Sequence, residues 1–144
     1  MFERILVPTD FSSCAEQALE VAVHVAEKFD ATITLMHACE PPSYAYAGAM
    51  APVDLVTPVQ DAAREMTRRA FADLKRRYAK ADCVLAFGTA AMEILACVDK
   101  HAAELVVIGS RGRTAIGRVV LGSVAARIVR LAPVPVLTVR QRKK

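Results

Sequence analysis

The sequence predicts an α/β fold: a doubly wound (Rossmann-like) parallel sheet of five strands with helices on both faces, in a single domain. Three observations carry that expectation. Short apolar runs alternate with segments of helical period along the whole chain. The runs are continuously apolar, as parallel strands covered on both faces require. Finally, 144 residues suffice for one compact domain and are too few for two ordinary ones.

Taken in order, Ile5-Leu6-Val7 is the first strand, too short for a helix and closed by Pro8. Ser13-Cys14-Ala15-Glu16 reads as a capping box, with Ser13 as the cap and Glu16 reaching back to it. Behind it Ala15, Ala18, Leu19, Ala22, Val25, Ala26 and Phe29 form one helical face. Residues 31–38 are the second strand, with β-branched Thr32, Ile33 and Thr34. Residues 41–58 hold Pro41, Pro42, Pro52, Pro58, Gly48 and two tyrosines, Tyr44 and Tyr46, without a usable period. That segment is expected to be a long loop, either a lid over a ligand or a cover for the sheet. Residues 59–80 make a charged helix, 83–87 a third strand ending at Gly88, and 90–101 a short helix. Leu105 to Ile108 is the fourth strand, Ser123 to Leu131 the last helix, and Val136 to Val139 the fifth strand. Right-handed crossovers leave few ways to assemble such a series. No internal repeat or domain linker interrupts residues 1–144, and 141–144 form a basic tail.

Composition narrows the function classes. The chain is 54% apolar and 24% charged, which is neither disordered nor membrane-spanning. Met1-Phe2-Glu3-Arg4 runs directly into the first strand, so no leader is expected and the location is expected to be cytoplasmic. Cys14, Cys39, Cys83 and Cys97 contain no C-x-x-C pair and read as unbridged buried thiols. From Leu105 onward there is no acidic residue against nine basic ones. Such a field attracts an anion, either a phosphate-bearing ligand or a nucleic acid. The chain shows no aromatic–basic interleaving and no recognition-helix motif, so specific nucleic-acid binding is not expected.

In a doubly wound sheet, ligands bind beyond the carboxyl ends of the strands where strand order reverses. The first strand ends in Pro8-Thr9-Asp10 and the fourth in Gly109-Ser110-Arg111-Gly112. If these strands are neighbours, both loops open on one crevice. Gly109 and Gly112 permit positive φ and close backbone approach, and Gly122-Ser123 opens the last helix, whose N–H groups favour phosphate. The chain lacks both the P-loop triplet and a dinucleotide fingerprint after its first strand. Spacing alone leaves two readings open, a phosphate site or plain turn and cap punctuation.

Gly109-x-x-Gly112, nine intervening residues, then Gly122-Ser123 is similar to the ATP-binding signature of the universal stress protein family. The opening Arg4-Ile5-Leu6-Val7-Pro8-Thr9-Asp10-Phe11-Ser12 resembles the family's first strand and turn. Leu121-Gly122-Ser123-Val124-Ala125, followed by Ala132-Pro133-Val134-Pro135-Val136-Leu137, resembles its closing helix and strand. The resemblance implies an ATP ligand, with magnesium as its companion ion. It places Pro8, Thr9 and Asp10 at the adenosine end, with the Ala38 backbone on the adenine edge. It makes Gly88 and Ile108 walls of the pocket, and has Gly109, Arg111 and Gly112 hold ribose and phosphates. Gly122, Ser123 and Val124 would bind the phosphate tail. Arg111 stands where relatives often carry histidine. The resemblance also implies a homodimer through the fifth strand, whose edge is otherwise thinly protected by Pro135 and Arg140.

Other residues favour plainer roles. His37 ends a buried strand and reads as a satisfied core histidine, while His24 and His101 fall on helix surfaces. Met36, Met50, Met66 and Met92 share no period and read as core filling. Arg64, Arg68, Arg69, Lys75, Arg76 and Arg77 read as a solvated face. No nucleophile–base spacing or metal-ligand cluster is evident, so any ATP hydrolysis is expected to be slow. The leading expectation is an ATP-binding stress-response or regulatory protein with a protein partner of unknown identity. The alternative is a nucleotide-independent dimeric scaffold of the same fold.

Overall fold

A computed structural model describes residues 1–41, 56–112 and 121–141. Its elements run β1 (Arg4–Pro8), α1 (Ser13–Phe29), β2 (Thr32–Cys39), α2 (Val56–Arg77), β3 (Ala81–Phe87), α3 (Ala90–Lys100), β4 (Leu105–Gly109), α4 (Ser123–Leu131) and β5 (Val136–Val139). Most of the expected 41–58 loop, with Tyr44, Tyr46 and Met50, lies outside the described residues, as do Arg113, Arg118 and the tail from 142. Val56, Thr57 and Pro58 are already helical, so the expected boundary at 59 is corrected. Proline's fixed φ suits the early turns of a helix.

The sheet is wholly parallel, in the order β3-β2-β1-β4-β5. The first two crossovers move outward from β1. The third returns across the sheet and lays β4 on the other side of β1. This makes the β1–β4 seam, paired through Ile5 with Leu105 and Leu6 with Val106, the point where strand order reverses.

Strand side chains alternate between two cores. Ile5, Val7, Ile33, Leu35 and Val107 pack beneath α1 and α2, with Leu19 and Leu74. Leu6, Met36, Val106 and Ile108 pack beneath α3 and α4, with Ile94, Val98 and Ile128. Ile5, Leu6, Ile33 and Leu35 are at most 1% exposed. Each such side chain contributes roughly 1.5–3 kcal/mol on burial. The α1 face is largely as expected, with Ala15, Ala18, Leu19, Ala22 and Ala26 buried. Phe29 instead lies at the rim, edge-on to Phe2 at 5.6 Å.

Ser12, not Ser13, caps α1: its backbone is extended and its Oγ accepts the Ala15 N–H at 3.2 Å. Glu16 does not return to the cap but pairs with Arg77 of α2 at 2.9 Å. Consecutive serines offer the same cap chemistry. The turn before them chooses, because Phe11 takes a left-handed φ of 63° and brings the helix in one residue earlier. The charged face of α2 is exposed as expected and laced with ion pairs, among them Arg68 and Arg69 to Glu65. β3 starts at Ala81, ahead of the expected Cys83, because an outer strand tolerates an exposed Asp82.

Candidate functional site

Beyond the carboxyl ends of β1 and β4 opens a cavity of about 920 Å³. Pro8, Thr9, Asp10, Ala38, Ile108, Gly109, Arg111, Gly112, Gly122, Ser123 and Val124 all line it. Gly88, the remaining expected wall, does not. It follows β3 at φ +153°, where an added Cβ would meet the Glu93 carboxylate, so its glycine answers to local packing.

The β1 side is a tight turn. Thr9 Oγ1 accepts the Phe11 N–H at 3.0 Å, and Asp10 Oδ1 accepts the Ser12 N–H at 3.0 Å. Such side-chain-to-backbone bonds mimic a backbone turn. The second Asp10 oxygen faces Gly112, where a Cβ would lie 3.0 Å from it. Asp10 is therefore brought against the glycine loop, a proximity invisible in sequence.

On β2 the Thr9 N–H donates to the Met36 carbonyl at 2.8 Å. Strand alternation turns the N–H and C=O of Ala38 toward the same side, beyond the point where β1 has ended. The Ala38 backbone edge thus faces the cavity. Next to it His37, read as a core residue, is only half-buried and lines the cavity. It is satisfied by the Thr9 carbonyl, 2.8 Å from Nδ1.

On the β4 side the glycines differ in purpose. A Cβ on Gly109 would lie 3.0–3.1 Å from backbone atoms of Cys14 and Ala15, so this residue lets β4 meet the start of α1. Among the described glycines only Gly88 has positive φ, and the expected left-handed role of Gly109 and Gly112 does not hold. Close approach is the reason for both. The Gly122 N–H donates to the Ser110 carbonyl at 2.7 Å and docks the start of α4 on the loop.

Helix N-termini meet at the cavity, and their caps differ. Ser12 closes α1, and Glu40 closes α3 by accepting the Ala90 N–H at 2.7 Å. At α4 the N-cap is Gly122, which brings no side-chain oxygen, and Ser123 is exposed. First-turn N–H groups have no intrahelical acceptor, and the helix dipole adds positive potential there. Arg111, half-buried, contributes a full positive charge beside them.

Met36, Ile94, Met66 and Leu121 add apolar lining. Sequence reasoning missed Glu40, just after β2, Met66 on α2 and Ile94 on α3, none of which carries a motif. Cys39 also lines the cavity, and its thiol is pushed up by burial, only partly opposed by the Arg64 charge. It is a packing residue rather than a nucleophile. No disulfide links the four cysteines. Among the described residues no group of three metal-ligating side chains occurs, and no helix is long and apolar enough to cross a membrane.

Comparison with known proteins agrees with this architecture. The family model described as "Universal stress protein family" matches residues 1–140. A universal stress protein of Thermus aquaticus is 35% identical over 147 residues, covering 97% of this chain and all of the relative. The solved structure of the universal stress protein UspA from Lactobacillus plantarum superposes with a TM-score of 0.87 at 24% identity, covering 96% of this chain and 98% of that one. The universal stress protein from Archaeoglobus fulgidus in complex with dAMP superposes with a TM-score of 0.68 at 22% identity, covering 96% and 98%. On the strength of the match over residues 1–140, this chain belongs to the universal stress protein family.

Proposed function

We propose that this chain is an ATP-binding regulatory protein of the stress response, with the nucleotide in the cavity at the β1–β4 seam. The observation that carries the reading is the arrangement at the start of α4. Its Gly122 N-cap, the Gly109–Gly112 loop and Arg111 line one side of a cavity that the Ala38 backbone edge also lines. An adenine amidine edge needs one donor and one acceptor, which the Ala38 backbone offers. Ile94, Ile108 and Met36 supply an apolar bed. Thr9 and Asp10 serve the ribose, and Gly112, Gly122, Ser123 and Val124 the phosphates. The Archaeoglobus relative solved with an adenine nucleotide supports the same ligand class.

The donor set fits a magnesium that arrives with the triphosphate and not a resident ion. Asp10 and Glu40 are the carboxylates on the described lining, and both already accept backbone N–H groups. Magnesium bound through substrate phosphates needs at most one or two carboxylates. Hydrolysis, if present, is slow, and the function is cytoplasmic regulation through a partner whose choice the nucleotide alters. The competing reading, a nucleotide-independent scaffold, does not use a glycine N-cap opening on a cavity.

We further propose a homodimer through β5. That strand forms one edge of the sheet, and Leu137 is 39% exposed on it.

Calorimetry with ATP and AMP tests the nucleotide reading. The phosphate assignment requires ATP to bind more tightly, and equal affinities would remove it. Mass spectrometry of small molecules released by heating the purified protein is the companion measurement.

A further inference from the structure

We propose that His37 is a positioning residue that holds the β1–α1 turn, and with it Asp10, in place for the sugar end of a bound nucleoside. The proposal rests on the nucleotide reading above. The carbonyl of Thr9 can only accept, so the Nδ1 of His37, 2.8 Å away, must carry the proton. That bond fixes the peptide between Thr9 and Asp10. The same imidazole lies against the Phe11 ring, with centroids 4.4 Å apart and planes inclined at 46°. Phe11 holds a φ of 63°, a conformation a bulky residue adopts only when its surroundings impose it.

His37 therefore grips the turn on both sides of Asp10, by a hydrogen bond before it and a ring contact after it. Between those grips the Asp10 carboxylate is aimed by its own bond to the Ser12 N–H and by contact with Gly112. The histidine comes from β2, one residue before Ala38, whose backbone faces the cavity. One short stretch of β2 thus couples the base-reading edge to the ribose-facing carboxylate. This gives a half-buried histidine on the lining a role distinct from ligand contact and from core filling.

The test compares His37→Phe, which keeps a ring and removes the donor, with His37→Asn, whose amide nitrogen can occupy the Nδ1 position. Adenosine, ATP and inorganic tripolyphosphate are titrated by calorimetry. His37→Phe should weaken adenosine and ATP alike by about tenfold, the scale of one lost hydrogen bond, and leave tripolyphosphate binding unchanged. His37→Asn should recover most of that loss. Nitrogen NMR of the wild type at alkaline pH, where imidazoles are neutral, should show the Nδ1–H tautomer. An Nε2–H tautomer, unchanged adenosine affinity in His37→Phe, or an equal loss for tripolyphosphate would each overturn the clamp. A wild type that binds neither adenosine nor ATP would overturn the nucleotide reading instead, while the tautomer still decides whether the grip on Thr9 exists.

Discussion

The Gly122 N–H donates to the Ser110 carbonyl at 2.7 Å, and the Ser110 N–H donates to the Val139 carbonyl at 2.7 Å. Ser110 thereby joins the end of β5, the end of β4 and the start of α4 in one run of backbone bonds. The two glycine-bearing segments are a single structural unit, although nine residues separate Gly112 from Gly122 in the chain. The glycines around that unit perform different tasks, and substitution should tell them apart.

Gly109→Ala should destabilise the fold by roughly 1–3 kcal/mol, the usual range for overpacking. Its Cβ would press on the backbone of Cys14 and Ala15 at 3.0–3.1 Å, and backbone cannot step aside as a side chain can. Urea unfolding measures the effect. A midpoint equal to wild type would mean that α1 can retreat.

Gly122→Val should fold normally and bind ATP at least about tenfold more weakly. The φ of Gly122 is −58°, which a residue with a side chain adopts without strain, and a Cβ would meet only ordinary contacts from 3.4 Å outward. What the branched side chain would obstruct is the approach of phosphate to the first turn of α4. Circular dichroism and calorimetry separate fold from binding, and a folded variant with wild-type affinity contradicts the assignment.

Glu104→Gln should reduce stability at neutral pH and make little difference in acid. The Glu3 backbone N–H, donating at 2.6 Å, is the main cause holding the Glu104 carboxyl below its usual range, with the Arg4 charge assisting. A carboxyl depressed in the folded state stabilises above its unfolded pKa, about 4.3, and that contribution is lost as pH falls through the folded value. Urea midpoints of both proteins should therefore differ at pH near 7 and converge well below about 4. A gap that stays constant with pH would show that the carboxylate is not the source.

Thr138→Pro should convert the proposed dimer to a monomer while sparing the sheet. The Val106 N–H donates to the Pro135 carbonyl and the Ser110 N–H to that of Val139, so odd-numbered residues of this stretch face β4. Alternation turns Val136 and Thr138 outward. The donor missing at Pro135 is thus on the inner side, and the proline does not blunt the outer edge as the sequence suggested. Light scattering at tens of micromolar should read a dimeric mass for the wild type and a monomeric mass for the variant. A monomeric wild type would remove the edge-pairing proposal.

Most of the architecture is written in local patterns. Apolar runs such as Ile5-Leu6-Val7 and Leu105-Val106-Val107-Ile108 declare doubly covered strands, because side-chain periodicity is a property of neighbouring residues. The helical face led by Ala18, Leu19 and Ala22 is legible for the same reason, as are the glycines and prolines that end elements. These patterns determined the fold class and the set of loops that carry glycine. The resemblance those loops support led to eleven of the cavity-lining residues. What sequence alone did not decide is which residues from distant segments share a space. Only the third crossover, which returns across the sheet, puts β4 beside β1 and presses Asp10 against Gly112. It is also why Gly109 answers to α1 rather than to a left-handed turn. The same assembly leaves α4 with a glycine cap while Glu40 closes α3. It puts His37 under the Thr9–Phe11 turn, whose left-handed Phe11 moves the α1 cap from Ser13 to Ser12. Each depends on distances between segments far apart in sequence, and those distances exist only once both faces of the sheet are packed.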